Sequence, residues 1–145
     1  MPRHKRAERQ EIMGQTRELL LQAATTEFAR QGYAGANVNR ISRAAGFAKG
    51  TIYNYFDSKR ALMLALIDEI AKEHGLEPEL VMGVIKVESS FNESSKSRVG
   101  AQGLMQIMPA TAINELQLSD IDALYIPKTN INLGTEYLRR MLDTN

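Results

Sequence analysis

Apolar positions in this chain recur at helical spacing. Ile12, Leu19, Leu20, Ala23, Ala24 and Phe28 form one face of a first helix. Gln31-Gly32 ends it, because Gly32 can take the left-handed C′ conformation without steric cost. Asn37 is a good N-cap for a short helix from Val38 to Ala45, which Gly46 closes. Phe47-Ala48 then turns the chain into a third short helix, about Lys49 to Tyr55. Asp57 or Ser58 caps a fourth, whose face includes Leu62, Leu66 and Ile70. Four helices therefore fall between Arg9 and Lys72. The stretch IDEIAKEHG (67–75) either finishes the fourth helix, with Gly75 as its C-cap, or opens a new module. Pro78 suits the first turn of a helix reaching Ser89, with Leu80, Val81, Val84, Ile85 and Glu88 along its face. Further helices are expected at about Ala110 to Leu116 and within NINLGTEYL (130–138). The pattern predicts a mainly α chain in two parts, 9–66 and 67–145.

Charge separates the same two parts. Residues 1–60 carry 11 Lys/Arg against 5 Asp/Glu, whereas residues 61–145 carry 7 against 12. A basic first part suits a polyanion, and a mildly acidic second part does not. The chain has no cysteine, which excludes disulfides and thiolate metal sites. The only histidines, His4 and His74, are far apart, so no metal site is expected, and no cofactor either. The longest apolar run, Ala61 to Ile67, falls far short of the about 20 residues a bilayer span needs. The basic start MPRHKRAERQ has no apolar stretch behind it, so it does not read as a secretory signal, and a cytoplasmic location is expected.

Two short helices joined by a Gly-containing turn and braced by longer ones make a helix-turn-helix. Gly32-Tyr33, Val38, Ile41, Ala45-Gly46, Lys49-Gly50-Thr51, Tyr53, Tyr55-Phe56 and Lys59 resemble the DNA-binding domain of the tetracycline-repressor (TetR) family, from about Thr16 to Leu66. The resemblance implies duplex DNA as partner, with the third helix in the major groove. Lys49, Thr51, Tyr53, Asn54 and Tyr55 would then lie near DNA, and Asn37, Arg40 and Arg43 near phosphates. Tyr53 and Lys59 look like phosphate contacts, and Thr51 and Asn54 like groove readers. Ile41, Ala45, Ile52 and Phe56 read as core. Ala48 stands where that family often places a capping Ser, a loss worth about 1 kcal/mol. The larger helical domain of those repressors, which binds an inducer and forms the dimer, has no counterpart after Leu66. A single half-site reader is expected to bind weakly, about micromolar or worse.

The second part carries a different signature. ESSFN (88–92), SRVGAQGLMQIMPATA (97–112) and NINLGTEYL (130–138) resemble the soluble lytic transglycosylase family, whose fold is similar to goose-type lysozyme. The resemblance implies peptidoglycan glycan strands as substrate and covers about Ile67 to Leu142. Glu88 would be its single catalytic acid and base, with Ser97 and Gln106 as hydrogen-bonding groups and Met105 lining the groove. Leu104 and Met108 read as core. Glu88 closes an apolar helix face, where burial would lift its carboxyl above the ordinary range. The family continues to an alanine-tyrosine-asparagine-alanine-glycine segment whose tyrosine supports the carboxylate. Tyr125 and Tyr137 stand in the wrong context to replace it, so weak or absent activity is expected. That family acts in the periplasm or cell envelope, at odds with a cytoplasmic DNA-binding part. A fusion in which neither activity survives intact is the alternative that explains both signatures.

Overall fold

The computed structural model describes residues 3–144; the His4 side chain and Asn145, both within the sequence reading, lie outside the described residues. The described residues form six α-helices: α1 Arg3–Gly35, α2 Val38–Ala44, α3 Lys59–Glu73, α4 Pro78–Ser89, α5 Pro109–Asn114 and α6 Pro127–Asp143. Two 3-10 turns, Thr51–Asn54 and Ile121–Tyr125, complete the order. Among the described residues there is no strand, only isolated bridges from Gln102 to Lys96 and to Ile107. The protein is mainly α.

Local signals account for most of the helix ends. Asn37 caps α2, its Oδ1 accepting from Arg40 N at 2.9 Å. Ser58 caps α3, its hydroxyl oxygen accepting from Ala61 N at 3.1 Å. Pro occupies the first turn of α4, α5 and α6, where its missing N–H costs nothing. Helix α1 begins at Arg3 rather than Arg9, since RHKRAERQ consists largely of good helix formers. The predicted stop at Gly32 is a break rather than an end. Gly32 adopts φ 72° and ψ 170°, and helical geometry resumes for one more turn to Gly35. Glu93, distant in sequence, supplies the reason: its Oε1 accepts from Tyr33 N at 2.8 Å. A Cβ on Gly32 would sit 2.6 Å from that oxygen and displace it, and the φ 72°, ψ 170° backbone itself is one that glycine adopts and other residues rarely do.

The third helix of the first part is shorter than expected. In place of an α-helix over 49–55 there is the single 3-10 turn Thr51–Asn54. Its N-cap is Gly50 in left-handed conformation (φ 93°), with no side-chain capping bond. The Ser42 hydroxyl instead donates to Ala48 O at 2.7 Å and holds the preceding turn.

Helix α3 ties the two sequence halves together. It runs unbroken to Glu73 and ends at His74, with Gly75 left-handed (φ 70°) behind it. Leu62, Met63, Leu66, Ile67, Ile70 and Ala71 are all buried, which makes two adjacent stripes. The predicted stripe, Leu62-Leu66-Ile70, is only one of them. This double width lets α3 pack against α1, α4 and α6 together. One continuous cluster therefore runs from Leu20, Phe28 and Ile52 through α3 to Val81, Ile85, Leu104, Leu124 and Ile131. Polar links reinforce the junction. His74 Nε2 and Asn132 Oδ1 are 3.0 Å apart, and Arg139 Nη1 donates to Gly75 O at 3.3 Å.

A buried amide fixes the loop between α4 and α6. Asn130 on α6 is fully buried, and its Oδ1 accepts from Met105 N at 2.7 Å. Its Nδ2 donates to Gln102 O and Leu124 O, both at 2.9 Å. From the other side, the buried Ser89 hydroxyl at the end of α4 donates to Leu104 O at 2.7 Å. Gly103 lies so close beneath Asn130 that a Cβ there would collide with Asn130 Nδ2 and Leu124 O. The segment Gln102–Ile107 is thus clamped between two helices by bonds shielded from water.

Replacing Asn130 with Ala strands the buried Met105 N–H and removes a donor from Leu124 O and from Gln102 O, the latter keeping its bond from Ile107 N. Urea unfolding followed by circular dichroism should show a loss of about 3 kcal/mol or more. A loss under about 1 kcal/mol would mean that the clamp does not hold the loop.

Candidate functional site

Glu88 sits one position before the buried Ser89 on α4. The inward stripe of that helix is Pro78, Val81, Ile85 and Ser89, which sets Glu88 on the neighbouring face. Its side chain is exposed, so the burial anticipated from the sequence is absent. Among the described residues no hydrogen bond or ion pair holds its carboxylate. Together with Val84 one turn earlier, it forms one wall of an open groove of about 420 Å³. Met105, Gln106, Ile107 and Met108 from the clamped loop form a second wall, Thr111 of α5 an end, and Gly134, Tyr137, Leu138 and Met141 of α6 the third side.

The clamp dictates what this loop presents. Asn130 pins the Met105 N–H, and Met105 lies over Gly134, where a Cβ would be 2.5 Å from its sulfur. Thr135 Oγ1 lies 3.8 Å from the same sulfur. Gln106 holds a left-handed backbone (φ 51°). Its amide nitrogen donates to Ser95 O at 3.0 Å and Gly103 O at 2.8 Å. Both amide protons are thereby committed within the protein, and the Gln106 carbonyl oxygen is what remains to accept from a ligand. Three of the four sequence-nominated groove residues, Glu88, Met105 and Gln106, share this groove. Ser97 does not line it. Its Oγ accepts from Ala101 N at 3.0 Å and its N donates to Ala101 O at 2.9 Å, which closes the turn before the loop.

Two expectations change. Leu104 is core as read, but Met108 is 38 % exposed and lines the groove. It occupies the extended N-cap position of α5, which turns it outward. Tyr137, set aside on sequence context, stands on the groove wall. Its spacing carried the signal: it follows Gly134 by three residues and Asn130 by seven, the period of one helix face.

On the first half, Asn37, Arg40, Arg43 and Lys49 line a shallow concave surface together with Asn39, which sequence reasoning did not single out. Two of these are partly committed internally. Asn37 Oδ1 serves as the α2 cap, and Arg40 Nη1 pairs with Glu27 Oε2 at 2.9 Å. The buried Glu27 carboxylate also accepts from Asn37 N at 2.9 Å. Arg43 and Lys49 are exposed, and the described residues place no acid within ion-pair distance of either. Tyr53 is 50 % exposed and Asn54 exposed, while Thr51 and Tyr55 are half-buried. Lys59 is turned into the fold. Its Nζ donates to Ala34 O at 3.1 Å and Ala36 O at 3.3 Å and lies 4.9 Å over the Tyr33 ring. It closes the end of α1, with at most one donor left for DNA.

Comparison with known proteins finds both signatures. Residues 20–66 match the family model of bacterial regulatory proteins, tetR family. Residues 65–145 match that of the transglycosylase SLT domain, so the two segments meet inside α3. The membrane-bound lytic murein transglycosylase C of Actinobacillus pleuropneumoniae serotype 5b is 39% identical over 139 residues, covering 75% of this chain and 38% of that protein. The transglycosylase of Enterobacteria phage PRD1 is 43% identical over 77 residues, covering 53% of this chain and 28% of the phage protein. The chain therefore spans well under half the length of these relatives. Among solved structures, an inactive glutamate-to-glutamine mutant of the lytic transglycosylase Slt from Pseudomonas aeruginosa superposes with a TM-score of 0.53. The match is 28% identical and covers 88% of this chain and 21% of that one. The 70 kDa soluble lytic transglycosylase of Escherichia coli gives 0.52 at 27% identity, over 85% and 20%. Among the described residues no helix is long and apolar enough to cross a membrane. With more than half of its length matched by that one domain model, the chain belongs to the transglycosylase SLT domain family.

Proposed function

We propose that the groove beside Glu88 cleaves peptidoglycan glycan strands as a lytic transglycosylase, and that the N-terminal half binds duplex DNA. The observation that carries the first reading is the placement of an exposed carboxylate, Glu88, on the rim of a groove whose opposite wall is a rigidly clamped loop. Such a carboxylate reaches a glycosidic oxygen without rearrangement of the fold, and the clamped wall fixes where the sugar ring lies. Similarity to lytic murein transglycosylases supports the same substrate class.

One carboxylate suffices for this chemistry. Protonated Glu88 gives its proton to the oxygen joining N-acetylmuramic acid to N-acetylglucosamine, and that C–O bond breaks. The substrate's own acetamido carbonyl stabilises the cationic carbon, so no second carboxylate is needed. Glu88, now ionised, takes the proton of the muramyl C6 hydroxyl as its oxygen bonds to that carbon, and a 1,6-anhydro ring closes without water. Gln106, through its free carbonyl oxygen, accepts from a sugar N–H or O–H, and Met105 and Met108 supply apolar contact to the ring. Among the described residues no side chain orients the Glu88 carboxylate, so turnover is expected to be slow.

The DNA reading rests on a separate observation, the concave surface where Arg43 and Lys49 stand exposed beside the Asn37–Arg40–Glu27 network. With one half-site reader and a single 3-10 turn at the groove-facing position, phosphate contacts supply most of the affinity.

Digestion of purified peptidoglycan, with muropeptides read by mass spectrometry, should yield 1,6-anhydromuramyl products. The Glu88→Gln variant should yield at least about 100-fold less. Hydrolytic ends, or equal release by the variant, would refute the assignment. For DNA, the slope of log binding constant against log salt should fall by about 1 in each of Arg43→Ala and Lys49→Ala. Lys59→Ala should lower stability while leaving that slope nearly unchanged, because its ammonium is spent on the end of α1. An unchanged slope in the first two variants would remove those residues from the interface.

A further inference from the structure

A second cavity lies at the seam of the two halves, away from both surfaces described above. It measures about 230 Å³ and is lined by Tyr33 from the end of α1, Arg60, Met63 and Leu64 from α3, and Ser90 and Phe91 from the turn after α4. Its walls are mainly apolar: the Tyr33 and Phe91 rings, the Met63 thioether and the Leu64 side chain. The Tyr33 ring is fixed by stacking on Phe28, with centroids 5.8 Å apart. Neither the cleavage nor the DNA reading gives any of these six residues a contact with its substrate.

The charge lining the cavity has one sign. Arg60 is its only charged lining residue, and among the described residues no carboxylate pairs with it. The Lys59 ammonium, 4.9 Å from the Tyr33 ring centroid, adds a second positive charge nearby. Glu93, the closest acid in sequence to Phe91, is bound to Tyr33 N. An apolar cavity with an unmatched guanidinium at its edge selects an amphipathic anion. Its planar aromatic walls favour a flat body, and its volume favours a small one.

We propose that this cavity binds a small aromatic monocarboxylate, its ring between Phe91, Met63 and Tyr33 and its carboxylate on Arg60. The site does not depend on cleavage by Glu88 or on DNA binding. Ser90 and Phe91 both hold left-handed backbone (φ 50° and 64°) and directly follow Glu88-Ser89, so an occupant packed on Phe91 braces the end of the helix that carries the carboxylate. It also rests on α3 beside Lys59, and so touches both halves.

The probe is 1-naphthoate, titrated into the full chain with methyl-labelled methionine and followed by carbon–proton correlation spectra, with Met63→Leu assigning the relevant signal among seven. The Met63 methyl should shift and saturate with a Kd of about 1 mM or tighter. Arg60 is exposed, so Arg60→Gln should fold normally and weaken binding about threefold to fivefold. Uncharged 1-naphthalenemethanol should bind the parent about as weakly as naphthoate binds that variant, and the variant should not weaken the alcohol further. Absence of a saturable Met63 shift would overturn the proposal. So would equal affinity of the parent for acid and alcohol, or an affinity for naphthoate that Arg60→Gln leaves unchanged.

Discussion

One helix has to satisfy two apolar surfaces at once, and everything else in this protein follows from that. Along α3, Leu62, Leu66 and Ile70 form one buried stripe and Met63, Ile67 and Ala71 the next. A helix with a single stripe would support either the helix-turn-helix half or the groove half. With two, the segments that match different families share one interior, and the two matches overlap at residues 65 and 66, within a continuous hydrogen-bonded helix.

From α3 outward, the groove is built by progressively finer constraints. Packing of α3 against α4 and α6 sets the two helices that flank the Gln102–Ile107 segment. Asn130 and Ser89 then fix the segment by hydrogen bonds to backbone groups that water cannot reach. Gly103 and Gly134 remove the side-chain bulk that would keep backbone and Met105 apart. Only at the last step does specific chemistry appear: an exposed carboxylate from α4, a carbonyl oxygen from Gln106 and two methionines. The arrangement spends its rigidity on the loop wall and leaves the Glu88 carboxylate unheld.

Much of this was legible in the chain, and the exceptions have physical causes. Asn37, Ser58, Gly75 and Pro78 act through their own backbone neighbours, so their roles could be read locally. The face of α4 was read too broadly: it rightly held Val81 and Ile85 but also took in Leu80, Val84 and Glu88, and it missed Ser89. Leu80, Val84 and Glu88 repeat at the same spacing as Val81, Ile85 and Ser89, and only packing decides which row turns inward. The buried row contains a serine, whose hydroxyl is satisfied by a carbonyl 15 residues later, and no periodicity signals such a partner. The break at Gly32 likewise depends on Glu93, 60 residues away from Tyr33. Lys59 looked like a phosphate contact by resemblance, yet its ammonium closes a helix end. Tyr137 carried a usable signal in its helical register with Asn130 and Gly134.

The central claim is that the two family segments share one core through α3. Native-state amide exchange resolved by mass spectrometry tests it most directly, comparing the slowest amides of α1 and α3 with those of α4 and α6. The account predicts that all four helices exchange through one common opening, with free energies agreeing within about 1 kcal/mol. Amides after residue 76 that exchange freely while α1 and α3 stay protected would contradict it, and would leave a folded helix-turn-helix carrying an unfolded fragment of enzyme.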